Sequence, residues 1–160
     1  MTDTPTALVI SKRIHVRRPP ADAFRVFTEG VASWWPFRSH SIGEGLVETV
    51  VLEGKAGGRF YERQADGTTA SWGEVTTWDP PRRVVIRWEV NPANPATEID
   101  VRFTPEGVGT VIELEHRGWE RYGDRAVQAF SEYDSATGWQ LVLGCYATEL
   151  GTTGSQTAGD

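Results

Sequence analysis

The chain has 160 residues, room for one domain of ordinary size and not for two. A charged fraction of 24% and a hydrophobic fraction of 39% exclude a disordered chain, and a net charge of −6 argues against nucleic acid as a partner. No apolar run approaches the ~20 residues of a membrane span, and the lone Cys145 fits a reducing, cytoplasmic compartment.

The first element is an alternating strand over Ala7–Arg17, with Leu8, Ile10, Ile14 and Val16 on one side. Pro19-Pro20 stops it, because proline cannot donate to a ladder, and Pro20 with Asp22 suits the first turn of a helix. Ala23, Phe24, Val26 and Phe27 give that helix a buried face, and a second short helix, Val31–Trp35, ends at Pro36. Strand-like runs then follow at Leu46–Leu52, Gly58–Gln64, Thr69–Trp78, Arg82–Val90, Thr97–Thr104 and Thr110–Arg117. Asp66-Gly67, Asp79-Pro80-Pro81, Asn91-Pro92-Ala93-Asn94-Pro95 and Pro105-Glu106-Gly107 are reversals between them, so the series reads as an antiparallel meander. Asp124–Phe130 reads as a short helix and Ser135–Leu150 as a long one, with Trp139, Leu143, Tyr146 and Leu150 at helical spacing. Residues 7–150 therefore form one domain, between disordered ends at 1–6 and 151–160.

Strand, two small helices, six strands and a long terminal helix is an order similar to the helix-grip fold of the START-like (SRPBCC) superfamily, an α+β architecture. The stretch Glu53-Gly54-Lys55-Ala56-Gly57-Gly58-Arg59-Phe60-Tyr61-Glu62 carries the resemblance further. So do Trp72-Gly73-Glu74-Val75, Trp78-Asp79-Pro80-Pro81-Arg82-Arg83, His116-Arg117-Gly118-Trp119 and Gly138-Trp139. Together these resemble the family named for the ATPase activator of heat-shock protein 90, in its small stand-alone form. The resemblance implies a curved sheet wrapped around the last helix and no shared catalytic motif. It also raises chaperone regulation as a function, although the co-chaperones that resemble this domain use an additional N-terminal domain to engage the chaperone. Gly138 is expected to let the last helix approach the sheet closely.

The residues themselves offer few chemical groups. No metal-ligand spacing, nucleophile elbow or phosphate-binding glycine loop occurs, so no metal, cofactor or catalytic group is implied. Cys145, inside a helix without a basic activator nearby, reads as inert. His15 falls on a polar strand face, and His40 near a cleft mouth beyond Trp34-Trp35-Pro36. His116 shares a strand face with Ile112 and Leu114, so it points inward, either to orient a ligand or as a satisfied core residue. Glu74 alternates with Trp72 and Trp78: if that face is inward it is a buried, reactive carboxylate, and if outward an ordinary surface acid.

A helix gripped by a bent, aromatic sheet leaves a cleft of the kind that holds small apolar molecules. The expected ligand-binding set is Trp72, Glu74, Trp88, His116, Trp139, Leu143 and Tyr146, and the expected partner a small hydrophobic or aromatic molecule. A chaperone-regulating module and a cyclase- or hydrolase-like enzyme in the same cleft are the alternatives. The last helix is apolar on more than one side, and a homodimer is one way to cover it.

Overall fold

One-sided alternation is what builds the sheet. In the computed structural model, which describes residues 8–36, 40, 42–43, 46–90, 93–135 and 138–153, the alternating segments pair into one antiparallel sheet. Its strands are β1 (Ile10–Val16), β2 (Val47–Leu52), β3 (Arg59–Gln64), β4 (Thr69–Asp79), β5 (Arg83–Trp88), β6 (Thr97–Glu106) and β7 (Gly109–Arg117). The meander from β2 to β7 is as expected, and β1 joins its far end by pairing with β7, giving the order β1-β7-β6-β5-β4-β3-β2. The architecture is the α+β helix-grip fold. The expected disordered stretch 1–6 and residues 154–160 of the expected tail lie outside the described residues.

The inner face carries the apolar parity of each strand. Val84, Ile86 and Trp88 of β5, Ile99, Val101 and Phe103 of β6, and Ile112, Leu114 and His116 of β7 are all buried. On the outer face Asp100 is buried beneath three guanidinium groups. Arg83 and Arg117 donate to it at 2.8 Å and Arg102 at 3.3 Å. Burial opposes its charge, but these hydrogen bonds and charges prevail and lower the carboxyl to about 2. The outer face is thus tied across β5, β6 and β7 by ions, and the inner one by hydrocarbon.

Helix α1 (Pro20–Phe27) starts at a proline whose missing N–H costs nothing in a first turn, and buries Ala23, Phe24, Val26 and Phe27. A 3-10 turn at Val31–Ser33 follows. After β7, a 3-10 segment at Trp119–Arg125 leads into α2 (Ala126–Tyr133), and α3 (Trp139–Thr153) closes the core. Two boundaries differ from expectation. The long helix begins at Trp139, not Ser135, because α2 continues to Tyr133 and the chain must turn before re-entering a helix. It also runs to Thr153, past the expected end at Leu150. A β-carbon on Gly138 would collide with the Tyr133 carbonyl, so this glycine lets α3 abut the end of α2. The expectation that it served helix–sheet approach is corrected accordingly. Among the described residues no helix is long and apolar enough to cross a membrane.

Trp139, Val142, Leu143, Tyr146 and Leu150 turn α3 toward the sheet and α1. Tyr146 is the pin: its ring stands 5.1 Å from both Phe27 and Trp34, and its hydroxyl donates to the Ala23 carbonyl at 2.7 Å. Burial raises the phenol well above its ordinary value, so it remains a neutral donor. Replacing Tyr146 by Phe keeps the ring and removes the bond; about 1 kcal/mol of unfolding free energy should be lost in urea titration. Tyr146→Ala should cost about 3–5 kcal/mol, and near-equal losses for the two variants would refute the pin.

Candidate functional site

Between the open end of the sheet, the turn after α1 and the junction of α2 with α3 lies a cavity of about 280 Å³. Its walls are Trp72 and Trp88 from β4 and β5, Trp35 from the turn, Trp139 and Val142 from α3, and Tyr133 from α2. Val90, His40, Glu132 and Gly138 complete the lining. Trp35 stands at the centre of the aromatic wall, its ring 5.2 Å from Trp72, 6.2 Å from Trp88 and 6.1 Å from Trp139. These tilted and edge-on contacts keep the indoles in place.

An indole carries one N–H donor and no acceptor, so each buried indole requires a partner. Trp35 donates to the His40 carbonyl at 2.9 Å and Trp72 to Glu62 Oε1 at 2.8 Å. Trp139 donates to His116 Nδ1 at 2.9 Å and Trp88 to the Tyr133 hydroxyl at 3.1 Å. The acceptors for three of the four are a carboxylate, an imidazole and a phenol placed behind or beside the wall.

Glu62 was not among the expected residues, yet it is fully buried. Its carboxylate accepts from Trp72, from Gln64 Nε2 at 3.0 Å, and from the backbone N–H groups of Ile42 at 2.7 Å and Gly43 at 2.9 Å. Burial by itself would raise its pKa; the hydrogen bonds from Trp72, Gln64, Ile42 and Gly43 outweigh it, and the group is held below its ordinary value. Glu62 therefore fixes both a wall residue and the loop beside the cavity. Its strand parity with Phe60 was the available signal, a charged residue on an apolar face.

Glu74 is a correction. It is exposed, although Trp72, two residues earlier, is buried. The two-residue period fails because β4 carries two bulges. Phe60 pairs with Gly73 while Tyr61 pairs with Ser71, leaving Trp72 as an extra residue; Thr76 is extra in the same way opposite β5. The first bulge turns Trp72 inward and leaves Glu74 outside. Gly73 permits it, since a β-carbon there would collide with the Arg87 carbonyl. Glu74 is not part of the cavity.

His116 is inward and fully buried, and both ring nitrogens are engaged within the protein. Because the Trp139 indole can only donate, Nδ1 is the acceptor; the proton is therefore on Nε2, which donates to Thr97 Oγ1 at 2.7 Å. Trp88, Trp119 and Tyr133 close the ring in, and burial lowers its pKa to about 3. The imidazole supports the wall from behind and has no nitrogen left for a ligand. Leu143 is buried in the core, Tyr146 is pinned against α1, and neither lines the cavity, so of the expected set Trp72, Trp88 and Trp139 do. Trp35 and Tyr133 join them; nothing in their local sequence pattern marked them, because each reaches the cavity from outside the sheet. Among the described residues no cluster of three or more His, Cys, Asp or Glu is placed to hold a metal ion.

The sequence matches the family model described as "Activator of Hsp90 ATPase homolog 1-like protein" over residues 17–145. Among solved structures it is similar to the anthrahydroquino-γ-pyrone synthase Txn09, at 32% identity over 88% of this chain and 95% of that one, with a TM-score of 0.61. It is also similar to CalC, a self-sacrificing resistance protein from Micromonospora echinospora, at 26% identity over 93% of this chain and 97% of that one, with a TM-score of 0.70. The Aha1 dimer from Colwellia psychrerythraea shares the fold at 17% identity, with 89% and 95% covered and a TM-score of 0.61. No match was found among the curated proteins.

Two outcomes test the supports behind the wall. The folded protein keeps His116 neutral down to about pH 3, whereas the unfolded chain takes up a proton below about 6.5. The unfolded state thus binds more protons in that window, and stability falls as pH falls. Urea titrations at pH 7 and pH 5 should differ by roughly 2 kcal/mol on this account, and His116→Leu should abolish most of the difference. Glu62→Gln substitutes an amide that cannot accept from all four donors; a loss of roughly 3 kcal/mol is expected, with a change in the near-ultraviolet circular dichroism of Trp72. A loss below about 1 kcal/mol would remove Glu62 from this role.

Proposed function

The chain belongs to the Activator of Hsp90 ATPase homolog 1-like family, and from that premise we propose that this member binds a small, uncharged, planar aromatic molecule in its tryptophan-walled cavity. The observation that carries the reading is the cavity itself, about 280 Å³ faced by four indoles and a phenol. That volume lies near the lower end of the usual range for ligand sites and suits two or three fused rings. Ring faces and edges supply stacking and edge-on contacts to such a molecule. Glu132 beside the cavity and the chain's net charge of −6 disfavour an anion. The solved relatives support a ligand-handling role, one being named as a pyrone synthase and another as a resistance protein.

Likeness to a protein named as a synthase favours a second reading, a ring-forming enzyme using the same cavity. Native mass spectrometry of freshly purified protein separates the two: a binder returns its co-purified molecule unchanged after incubation, and an enzyme does not. Chaperone regulation rests on the family name, which does not carry function to a single member.

Indane, an uncharged hydrocarbon of two fused rings, tests the binding reading by calorimetric titration, with an expected Kd on the order of 100 µM. Val90 is half-buried and lines the cavity, so Val90→Trp should fill the space from its edge. Binding should weaken more than about tenfold while the melting temperature moves by only a few degrees. Unchanged affinity in this variant would place the ligand elsewhere.

A further inference from the structure

All four indole N–H groups of the cavity wall are consumed by acceptors within the protein: the His40 carbonyl, Glu62, the Tyr133 hydroxyl and His116 Nδ1. The tryptophans therefore present hydrocarbon edges and π-faces to an occupant, and no donor. Tyr133 is different. Its oxygen accepts the Trp88 N–H at 3.1 Å, and among the described residues no acceptor takes the hydroxyl's own proton. A phenol has one donor and two lone pairs, so after the bond from Trp88 the donor is what remains to be used.

Position and electronics favour that use. Tyr133 ends α2 where Gly138 lets α3 come close, and its ring packs edge-on against His116 at 5.2 Å and beside Trp119 at 5.1 Å. The phenol is held by these contacts and aimed by the bond from Trp88. A hydroxyl that accepts one hydrogen bond becomes a stronger donor of the next. Burial raises the Tyr133 pKa above its ordinary value, so the proton stays on the oxygen at neutral pH.

We propose that Tyr133 is the specificity-determining residue of the cavity, donating its hydroxyl hydrogen bond to a ring carbonyl oxygen of the bound aromatic molecule, which makes the ligand class an uncharged aromatic ketone or quinone. The inference rests on the binding reading above and adds to it the chemical group that is recognised. A hydrocarbon of the same shape would leave the donor unpaired in a largely apolar space, a difference of about 1 kcal/mol, or roughly fivefold in affinity. A carboxylate would meet the charge of Glu132 at the same wall.

Indanone and indane differ by one ring carbonyl and provide the test, with calorimetric titration of the whole chain, of Trp88→Phe and of the double variant Trp88→Phe/Tyr133→Phe, because Tyr133→Phe alone would free the Trp88 N–H to donate in its place. The parent protein and Trp88→Phe should bind indanone about fivefold more tightly than indane, and the double variant should bind the two about equally. Failure of both molecules to bind the parent protein would overturn the binding reading itself. Equal binding of both by the parent, or a preference that survives in the double variant, would leave that reading standing and overturn the role of Tyr133. The carbonyl stretching band of indanone bound to the parent protein gives a check that needs no variant. A shift to lower frequency than in hydrocarbon solvent is expected, and a band at the hydrocarbon position would refute the hydrogen bond.

Discussion

An indole cannot be buried without an acceptor for its N–H, and this requirement organises the molecule more than any other. Six of the seven tryptophans meet it with partners spread over the chain: Trp34 on the Val26 carbonyl, Trp35 on that of His40, Trp72 on Glu62, Trp88 on Tyr133, and Trp119 and Trp139 both on His116. The buried polar residues of the inner face make sense in this light. Glu62 and His116 would be costly in an apolar core on their own account. Glu62 is saturated by four donors and His116 by a donor at Nδ1 and an acceptor at Nε2, and among the described residues no buried side-chain polar atom is without a partner. The acceptors fix the indoles, and the indoles shape the cavity.

Family membership places this arrangement on a fold that hosts several functions, so the site has to decide between them. Here the wall is aromatic, its tryptophan donors are turned to the protein, and the phenol of Tyr133 faces the space they enclose. On the proposed reading, such a site would recognise shape first and one polar atom second.

Much of the fold was legible because alternation is a direct record of one-sided burial. Val84, Ile86 and Trp88, or Ile99, Val101 and Phe103, can lie on one face of a strand in only one way. The site was less legible, for two physical reasons. A bulge inserts an extra residue, and from that point parity misreports the face: Trp72 is inside and Glu74 outside although they share it. Residues that reach the cavity from turns and helix ends have no period to read, so Trp35 and Tyr133 became visible only when the tertiary structure brought them beside β4 and β5. Glu62 stood in plain view as a carboxylate on an apolar parity, and its meaning depended on knowing that four donors surround it.

The pairing of β1 with β7 has a consequence for how the molecule is made. Ile10 lies against His116, about a hundred residues later in the chain, so the earliest strand has no neighbour until almost the whole sheet exists. During synthesis the segments β2 to β6 can join hairpin by hairpin as they leave the ribosome, each to the one before. The first strand must meanwhile wait with its edge unsatisfied, exposed to chance pairing with other chains. Closure of the sheet is thus a late and long-range event, and α3, which emerges later still, seals a core that until then is open to solvent.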